Sequence, residues 1–317
     1  MDRVMLHTAS PAVPHVARRQ LGLNPRTRLA IFLVAPALLV VAAVYLYPAL
    51  LTLVFSVAEV DLATFGVDHF VGAAHYQALL SDETLRSVAW RTLYFGGLVA
   101  LLTLVLGFAI ALLLSRPFVG RGVLRVVVLL PWAVPPVVSG VLWGQIYAAE
   151  YGFLNGFIRA LGGEGRTIWL GEPRQALHAL IVAEAWRALP LSALFLLAGL
   201  QTLPDGIYEA AAIDGAGVWR RFRDLTLPLM APIAMPVLIF QFVAATKAFD
   251  VIYVLTRGGP ANGTTTLNYL VYQQAFEQLA FGPAAATAYT LTLLTLAVIG
   301  VFAFLRWRIG VRAGGGG

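Results

Sequence analysis

Four charged residues lie inside long apolar stretches of the sequence. Glu184 and Arg187 are three residues apart in one stretch, and Lys247 and Asp250 repeat that spacing in another. Residues at this spacing share one face of a helix. Charges at membrane depth are costly and usually face a cavity or each other. Two interpretations stay open: the pairs line a polar path for a solute, or they only brace the helices that carry them.

The sequence lacks the motifs of the common enzyme classes. Lys247 is the only lysine and Ala248 follows it, so a G-x-x-x-x-G-K-[ST] phosphate-binding loop does not occur. The five histidines have no metal-ligand spacing, no G-x-S-x-G nucleophile motif occurs, and cysteine is absent. We therefore expect a protein that is not an enzyme, with no catalytic residue, no metal site and no cofactor of its own.

The composition is typical of a membrane protein. Of the 317 residues, 59% are hydrophobic and 12% are charged, and a soluble domain usually carries about twice that charged fraction. A run of about 20 apolar residues is long enough to cross the hydrocarbon core as a helix. Six segments qualify, at residues 29–57, 88–114, 123–147, 177–200, 233–255 and 284–306.

The sequence thus predicts an all-α membrane protein with six transmembrane helices in one domain, residues 29–308. A polar tail precedes this domain over residues 1–28, and a flexible, glycine-rich tail follows over residues 309–317. A proline inside a helix removes a backbone hydrogen bond and kinks the helix. Prolines occur in several spans and are densest at residues 130–136, so we expect a bent third span beside a pathway.

Basic residues are unevenly distributed between alternate loops. Fourteen arginines lie in or at the edges of the two tails and the second and fourth loops, whereas six lie in or at the edges of the other three loops. Basic residues favour the cytoplasmic side of a membrane, so we expect both termini in the cytoplasm. Topology and contact with membrane lipid account for the net charge of +6, and we expect no nucleic-acid partner.

The fourth loop, residues 204–228, carries the most specific pattern in the chain. Asp205 is a candidate N-cap, and the alanine-rich residues 207–213 are expected to form a short helix. Gly215 would end this helix, and residues 218–224 would form a second short helix before the fifth span. From the residues alone, the loop either sets the topology or docks onto another protein.

The same loop resembles the EAA loop of ABC importer permeases, whose pattern is E-A-A, three residues, G, nine residues, I, one residue and L-P. The triplet begins at Glu209, and Gly215 follows at the expected spacing. The final L-P begins at Leu227, and Leu225 stands where the family favours isoleucine. Similarity to the carbohydrate-uptake permeases of the maltose-transporter type, the MalF-like side, runs from about residue 29 to 308. The stretches that carry this further similarity are residues 130–136, 151–155, 248–260 and 265–276.

This resemblance implies the pore subunit of an ATP-driven importer that depends on a solute-binding protein. The EAA loop would dock into a cleft on a separate ATPase, which would bind ATP and Mg²⁺, and would pass its closure to the spans. The residues implied in this coupling are Glu209, Ala210, Ala211, Asp214, Gly215, Arg220, Phe222, Leu227 and Pro228. The partners implied are a second, homologous permease, two ATP-binding cassette subunits and an extracytoplasmic solute-binding protein, in the cytoplasmic (inner) membrane of a bacterium or archaeon.

The resemblance also implies a small-molecule sugar as the cargo, with contacts on the fourth and fifth spans. The residues of the implied substrate path are Glu184, Arg187, Leu191, Gln241, Ala245, Lys247 and Asp250. Leu191 and Ala245 are apolar at positions near the family's sugar contacts, so a sugar, an oligosaccharide, a polyol and a glycerol-phosphate-type ester all stay open. The alternatives to an ABC permease are a secondary transporter or channel that works without ATP, and a membrane-embedded enzyme.

Overall fold

The structure is a computed structural model that describes the backbone of residues 25–64 and 66–314. Residues 1–24 of the expected N-terminal tail and residues 315–317 of the expected C-terminal tail lie outside this part of the chain. Within it the chain is mostly helical, as predicted, and one two-stranded antiparallel hairpin departs from the all-α expectation.

The chain divides into two compact units, Met1–Leu51 and Thr52–Gly317. The described part of the first unit holds α1 (Pro25–Val41), a π-helical turn (Ala42–Leu46) and the start of α2 (Tyr47–Phe55). These elements form one helical run, whose apolar part is 27 residues long and therefore sufficient to cross a membrane.

The second unit holds the remaining elements of the described chain. They are β1 (Ala58–Asp61), β2 (Gly66–Phe70), α3 (Ala74–Ser81), α4 (Glu83–Ser115), α5 (Arg121–Ala133), α6 (Pro136–Tyr147), α7 (Phe153–Ala160), α8 (Pro173–Leu200), α9 (Asp205–Ile213), α10 (Val218–Arg221), a π-helical turn (Phe222–Thr226), α11 (Leu227–Thr246), α12 (Asp250–Leu255), α13 (Leu267–Tyr272), a π-helical turn (Gln273–Glu277) and α14 (Phe281–Gly314).

Five helical runs of the described chain are long and apolar enough to cross a membrane, and one bent pair makes a sixth candidate. The five are α1 with α2, α4, α8, α10 with α11, and α14. The pair is α5 and α6, whose axes differ in direction by 100°. The predicted six spans agree with this count when the bent pair is taken as one span.

The third predicted span is two helices, and its prolines explain the break. α5 ends at Ala133, Val134 is extended with φ −76° and ψ 127°, and Pro135 has φ −54° and ψ 140°. A residue that precedes proline is pushed out of the helical region, because the proline ring clashes with its backbone. Val134 precedes Pro135, and Pro135 precedes Pro136, so two successive residues leave the helix. The expected bend in the third span is therefore present, as a full interruption between α5 and α6.

The fifth span begins earlier and ends earlier than predicted. It runs without interruption from Val218 through the π-helical turn to Thr246 instead of over residues 233–255. The second short helix expected in the fourth loop is thus the first part of this span. Pro228 does not separate the two; it is the second residue of α11. In a regular α-helix a proline ring clashes with the carbonyl four residues earlier, and the wider π turn directly before Pro228 relieves that clash.

Helices α4, α8 and α11 form the core of the second unit. Phe95 and Leu180 are fully buried in one apolar cluster, and Leu196 is fully buried in another. Gly107 lets α4 approach α8, because a Cβ atom there would lie 3.0 Å from the Cβ of Ser192. Small residues allow membrane helices to pack closely. This core therefore fixes the positions of the charged residues in α8. It also fixes the two ends of the loop that joins α8 to α11.

Candidate coupling segment and polar layer

The EAA segment, residues 204–228, begins with helix α9 (Asp205–Ile213). Its alanines at 210–212 have the highest helix propensity of any residue type, which explains why so short a stretch is helical. The helix starts two residues earlier than predicted, and Pro204 takes the cap position that was predicted for Asp205. The short helix itself is confirmed.

Gly215 ends α9 in a left-handed conformation with a φ of +76°. The Ala216 N–H donates to the carbonyl of Ala211 at 2.9 Å, and the Gly215 N–H donates to the carbonyl of Ala212 at 3.1 Å. These two hydrogen bonds form a Schellman motif, which satisfies carbonyl groups at the end of a helix. The chain therefore leaves α9 in one defined direction.

Gly215→Ala is expected to loosen the EAA segment without unfolding the helix bundle. No described atom lies within 4 Å of the added Cβ, so the cost is that of the left-handed backbone, about 1–2 kcal/mol. Amide hydrogen exchange of residues 209–216 should become roughly tenfold faster. Gly122→Ala is the matched control, because its Cβ also enters open space and its φ is not positive. Equal exchange in the two variants would contradict this account.

One ring contact attaches the EAA segment to the bundle, and a second ring contact and one hydrogen bond brace the segment internally. Phe222 packs edge-on against Phe108 of α4 with ring centroids 5.9 Å apart, and Trp219 lies 5.6 Å from Phe222. The hydroxyl groups of Tyr208 and the buried Thr226 are 3.1 Å apart and link α9 to the start of α11. Phe222 faces the bundle, whereas Trp219 packs on Phe222 and stays 72% exposed.

Most side chains implied in ATPase coupling lie at the surface of the isolated subunit. The exposed ones are Glu209, Ala210, Asp214, Gly215, Arg220, Leu227 and Pro228. Ala211 is partly buried. Arg220 pairs with Asp224 at 3.7 Å, and an exposed ion pair of this kind contributes little to stability. The EAA segment thus presents an exposed face while Phe222 holds it to α4.

The first of the two predicted charge pairs forms inside the bundle. Arg187 Nε donates to Glu184 Oε2 at 3.2 Å, and Arg187 Nη2 donates to Glu184 Oε1. The Glu184 side chain is 5% exposed and that of Arg187 is 25% exposed. A two-bond pair between a guanidinium and a carboxylate is the strong form of an ion pair. Asp250 is the first residue of α12, and α12 also packs against α8. We call Glu184, Arg187 and Asp250 the polar layer.

The second predicted pair does not share a helical face. α11 ends at Thr246, Lys247 takes the capping position, and Asp250 is the first residue of α12. The prediction is wrong because the chain turns at residues 247–249, where hydropathy alone shows no interruption. Lys247 is exposed, and its carbonyl accepts a hydrogen bond from Asn268 Nδ2 at 2.8 Å. Lys247 therefore lies at the end of α11 that is opposite to the EAA segment.

Gln241 and Ala245 lie in the contact between helices. Gln241 is 2% exposed, and its Nε2 donates to the carbonyl of Ala188 at 2.9 Å and to the hydroxyl of Ser192. Ala245 is 3% exposed in the core, and Leu191 is partly buried. Gln241 thus joins α11 to α8, and the assignment of these three residues to the substrate path stays a prediction.

An aromatic cluster lies next to Asp250 and was not predicted from the sequence. Neighbouring rings in it have centroids 4.9 to 6.0 Å apart. Aromatic side chains provide large, rigid contact areas, and the tyrosines add a hydrogen-bonding hydroxyl. The aromatic residues recur at intervals of three and four, which is a helical spacing that could have revealed them. The members of this aromatic cluster are Phe249, Tyr253, Tyr269, Tyr272 and Phe276.

Comparison with known proteins connects this geometry to a family. Residues 103–310 match the family described as binding-protein-dependent transport system inner membrane component. That range includes the bent pair α5 and α6, the EAA segment, the polar layer and the aromatic cluster. It covers more than half of the chain.

Three similar proteins cover most of the chain. The trehalose/maltose transport system permease protein MalF of Thermococcus litoralis is 38% identical over 245 residues, which is 77% of this chain and 82% of the relative. The sulfoquinovosyl glycerol transport system permease protein SmoG of Agrobacterium fabrum is 34% identical over 95% of this chain and 97% of its own. The sn-glycerol-3-phosphate transport system permease protein UgpA of the same organism is 34% identical over 90% of this chain and 97% of its own.

Solved structures agree on the fold. A chain of a bacterial ABC transporter involved in the import of the acidic polysaccharide alginate matches with a TM-score of 0.77 and 19% identity, over 90% of this chain and 96% of that chain. At this identity the likeness concerns the fold alone. Taken with the family match and the relatives above 30% identity, it leaves one conclusion: the chain belongs to the family of binding-protein-dependent transport system inner membrane components, among the carbohydrate-uptake ABC importer permeases.

Proposed function

We propose that this chain forms the membrane path for a sugar, an oligosaccharide or a related polyol, and that its EAA segment couples the path to a separate ATPase. As an ABC importer permease subunit, the chain is not itself an enzyme. The observation that carries the proposal is the contact of Phe222 with Phe108, because it joins an exposed docking face directly to α4.

The EAA segment and both termini face the cytoplasm in this proposal. The support is the distribution of arginine, with fourteen on this side and six on the other. The partners are a second, homologous permease, two ATP-binding cassette subunits that bind ATP and Mg²⁺, and an extracytoplasmic solute-binding protein. The membrane is the cytoplasmic membrane of a bacterium or archaeon.

Coupling proceeds as a switch between two states. Closure of the ATPase pair displaces α9, and the contacts of Phe222 and Thr226 pass this displacement to α4 and α11 as rigid bodies. The same two helices pack against α8, which carries Glu184 and Arg187. A ligand shifts such an equilibrium only by its difference in affinity for the two states. ATP bound by the partner ATPase therefore shifts the equilibrium between the two states, and the EAA segment transmits this change to the spans.

The side chains at the end of the helix bundle opposite to the EAA segment favour an uncharged polyhydroxyl cargo. The polar layer holds two carboxylates and one guanidinium, so its summed charge does not attract an anion. Carboxylates accept hydrogen bonds from hydroxyl groups, and the aromatic cluster offers apolar faces for the carbon skeleton of a sugar. The relative MalF is named for trehalose and maltose, whereas UgpA is named for an anionic ester. We favour the neutral class.

Transport by reconstituted protein tests the proposal. The chain would be placed in proteoliposomes together with its second permease, its ATPase and its binding protein. We expect uptake of a neutral sugar or oligosaccharide that requires hydrolysable ATP, and little uptake of glycerol phosphate. Uptake at full rate without nucleotide would overturn the proposal in favour of a secondary transporter or channel.

Asp250→Asn is expected to lower uptake and to leave assembly unchanged. Loss of one charged hydrogen-bonding partner for the solute costs about 1–3 kcal/mol, so the rate should fall roughly tenfold or more. Co-purification with the partner subunits reports assembly, and uptake of labelled sugar reports transport. Asp68→Asn in the exposed strand β2 is the matched control. Unchanged uptake by Asp250→Asn would remove the polar layer from the solute path.

A further inference from the structure

A large cavity opens at the end of the second unit that carries the EAA segment. Its volume is about 1030 Å³, which is at the upper end of the range for small-molecule sites. The last turns of α4 and α8 form one side, and α9, α10 and the following π turn form the other. Much of the wall is apolar, with contributions from Leu112, Leu113, Leu200 and Leu203.

Two arginines interrupt this apolar wall. Arg116 and Arg221 line the cavity, and no carboxylate is among its lining side chains. Arg221 Nε is buried and has no hydrogen-bond partner in the part of the chain that the structure describes. Buried polar groups are normally satisfied, and an unpaired one costs free energy. A guanidinium is best satisfied by a carboxylate or a phosphate.

We propose that this cavity binds an anionic phospholipid of the cytoplasmic leaflet, with its phosphate on Arg116 and Arg221. The apolar wall then contacts the glycerol and the first methylenes of the acyl chains. The assignment of the leaflet rests on the proposed orientation of the chain. The position agrees with a headgroup, because α4 ends at Ser115 and α8 at Leu200, where the two spans leave the hydrocarbon layer. Basic pockets between membrane helices at the cytoplasmic side suit such headgroups.

The lipid would lie directly against the junction of the EAA segment. Trp219, Phe222 and Thr226 also line the cavity, and two of them make the contacts that join this segment to α4 and α11. A bound lipid fills the space between these elements. It therefore stabilises the arrangement through which movement of α9 reaches the spans.

Native mass spectrometry of the purified full-length chain tests the site. Phosphatidylglycerol and phosphatidylcholine would be titrated separately into detergent-solubilised protein, with inorganic phosphate as a third addition. We expect one phosphatidylglycerol to bind roughly tenfold more tightly than phosphatidylcholine, and Arg116→Gln/Arg221→Gln to remove that preference. Arg220→Gln is the control, because Arg220 lies beside Arg221 in sequence, does not line the cavity and pairs with Asp224.

A second variant protects the test against misfolding. Leu113→Trp narrows the cavity and leaves both arginines in place, so it should also weaken phosphatidylglycerol binding. Equal binding of the two lipids, or an undiminished preference in the double arginine variant, would overturn the proposal. Displacement of the lipid by millimolar inorganic phosphate would assign the site to a free anion and would also overturn it. The measurement needs no partner and no nucleotide, so its failure is distinguishable from failure of ATP coupling.

Discussion

Glu209→Lys is expected to abolish ATP-dependent uptake while the permease stays folded. Glu209 lies on the exposed face of α9, and no hydrogen bond or ion pair joins its carboxylate to a side chain that the structure describes. Its replacement therefore costs the isolated subunit little. At a docked interface, reversal of one charge costs several kcal/mol, so uptake should fall by at least roughly a hundredfold.

Two measurements distinguish loss of coupling to the ATPase from misfolding of the permease. Uptake in proteoliposomes should be lost, whereas the melting temperature of the purified subunit should stay unchanged. Glu83→Lys is the matched control, because Glu83 is also an exposed glutamate and lies in the first turn of α4, at the end of that helix opposite to the contact with Phe222. Full uptake by Glu209→Lys, with the ATPase still bound, would refute the assignment of the EAA segment.

Arg187→Gln is expected to destabilise the subunit strongly. Its guanidinium holds both carboxylate oxygens of Glu184, and the Glu184 side chain is only 5% exposed. Removing one partner of a buried ion pair leaves an uncompensated charge, at a cost of about 3–5 kcal/mol. Thermal unfolding in detergent should show a clear decrease in the midpoint, with lower yields of monodisperse protein.

The double variant Glu184→Gln/Arg187→Gln is expected to recover most of that loss. Replacing both charges by neutral amides removes the charge that lacks a partner, and neutral pairs of similar shape are tolerated in buried positions. Arg86→Gln serves as the control, because its pair with Glu83 at 3.8 Å is largely exposed and should contribute about 0–1 kcal/mol. If Arg187→Gln melts like the wild type, the pair does not hold the polar layer together.

Local sequence signals predicted the EAA segment well. The alanines of α9 favour a helix at any position, and the left-handed φ of Gly215 requires only its own missing side chain. The pair of Glu184 and Arg187 in α8 was also predictable, because residues three apart share a face in any regular helix. These features depend on neighbours within one or two turns, so a reading of residue spacing suffices to find them.

The ends and breaks of helices were harder to predict. Hydropathy stays high from α11 into α12, so it did not reveal that the helix stops at Thr246. The turn places Lys247 and Asp250 on different elements and removes the pair that spacing predicted. At residues 131–136 the prolines indicated a bend, but its size of 100° depends on the packing of α5 and α6 in the bundle.

Contacts between distant parts of the chain were not predictable from one sequence. Gln241 stays a predicted residue of the solute path, and nothing in its local sequence indicates that its amide donates to Ser192 of α8, 49 residues away. The hairpin of β1 and β2 was missed because it is short and polar. Its turn is held by Asp61, whose carboxylate accepts hydrogen bonds from the Ala63 N–H and the Thr64 hydroxyl. Those hydrogen bonds lower the pKa of Asp61.

Site-specific cross-linking can show whether the EAA segment contacts an ATPase. The chain has no cysteine, so Ala210→Cys introduces one thiol on the exposed face of α9, and Ala160→Cys introduces a control thiol at the exposed end of α7. In membranes that contain the partner subunits, we expect a cross-link from position 210 to the ATPase whose yield changes with ATP, and none from position 160. Equal cross-linking from both positions, or none from position 210 while the ATPase is present and active, would contradict this contact.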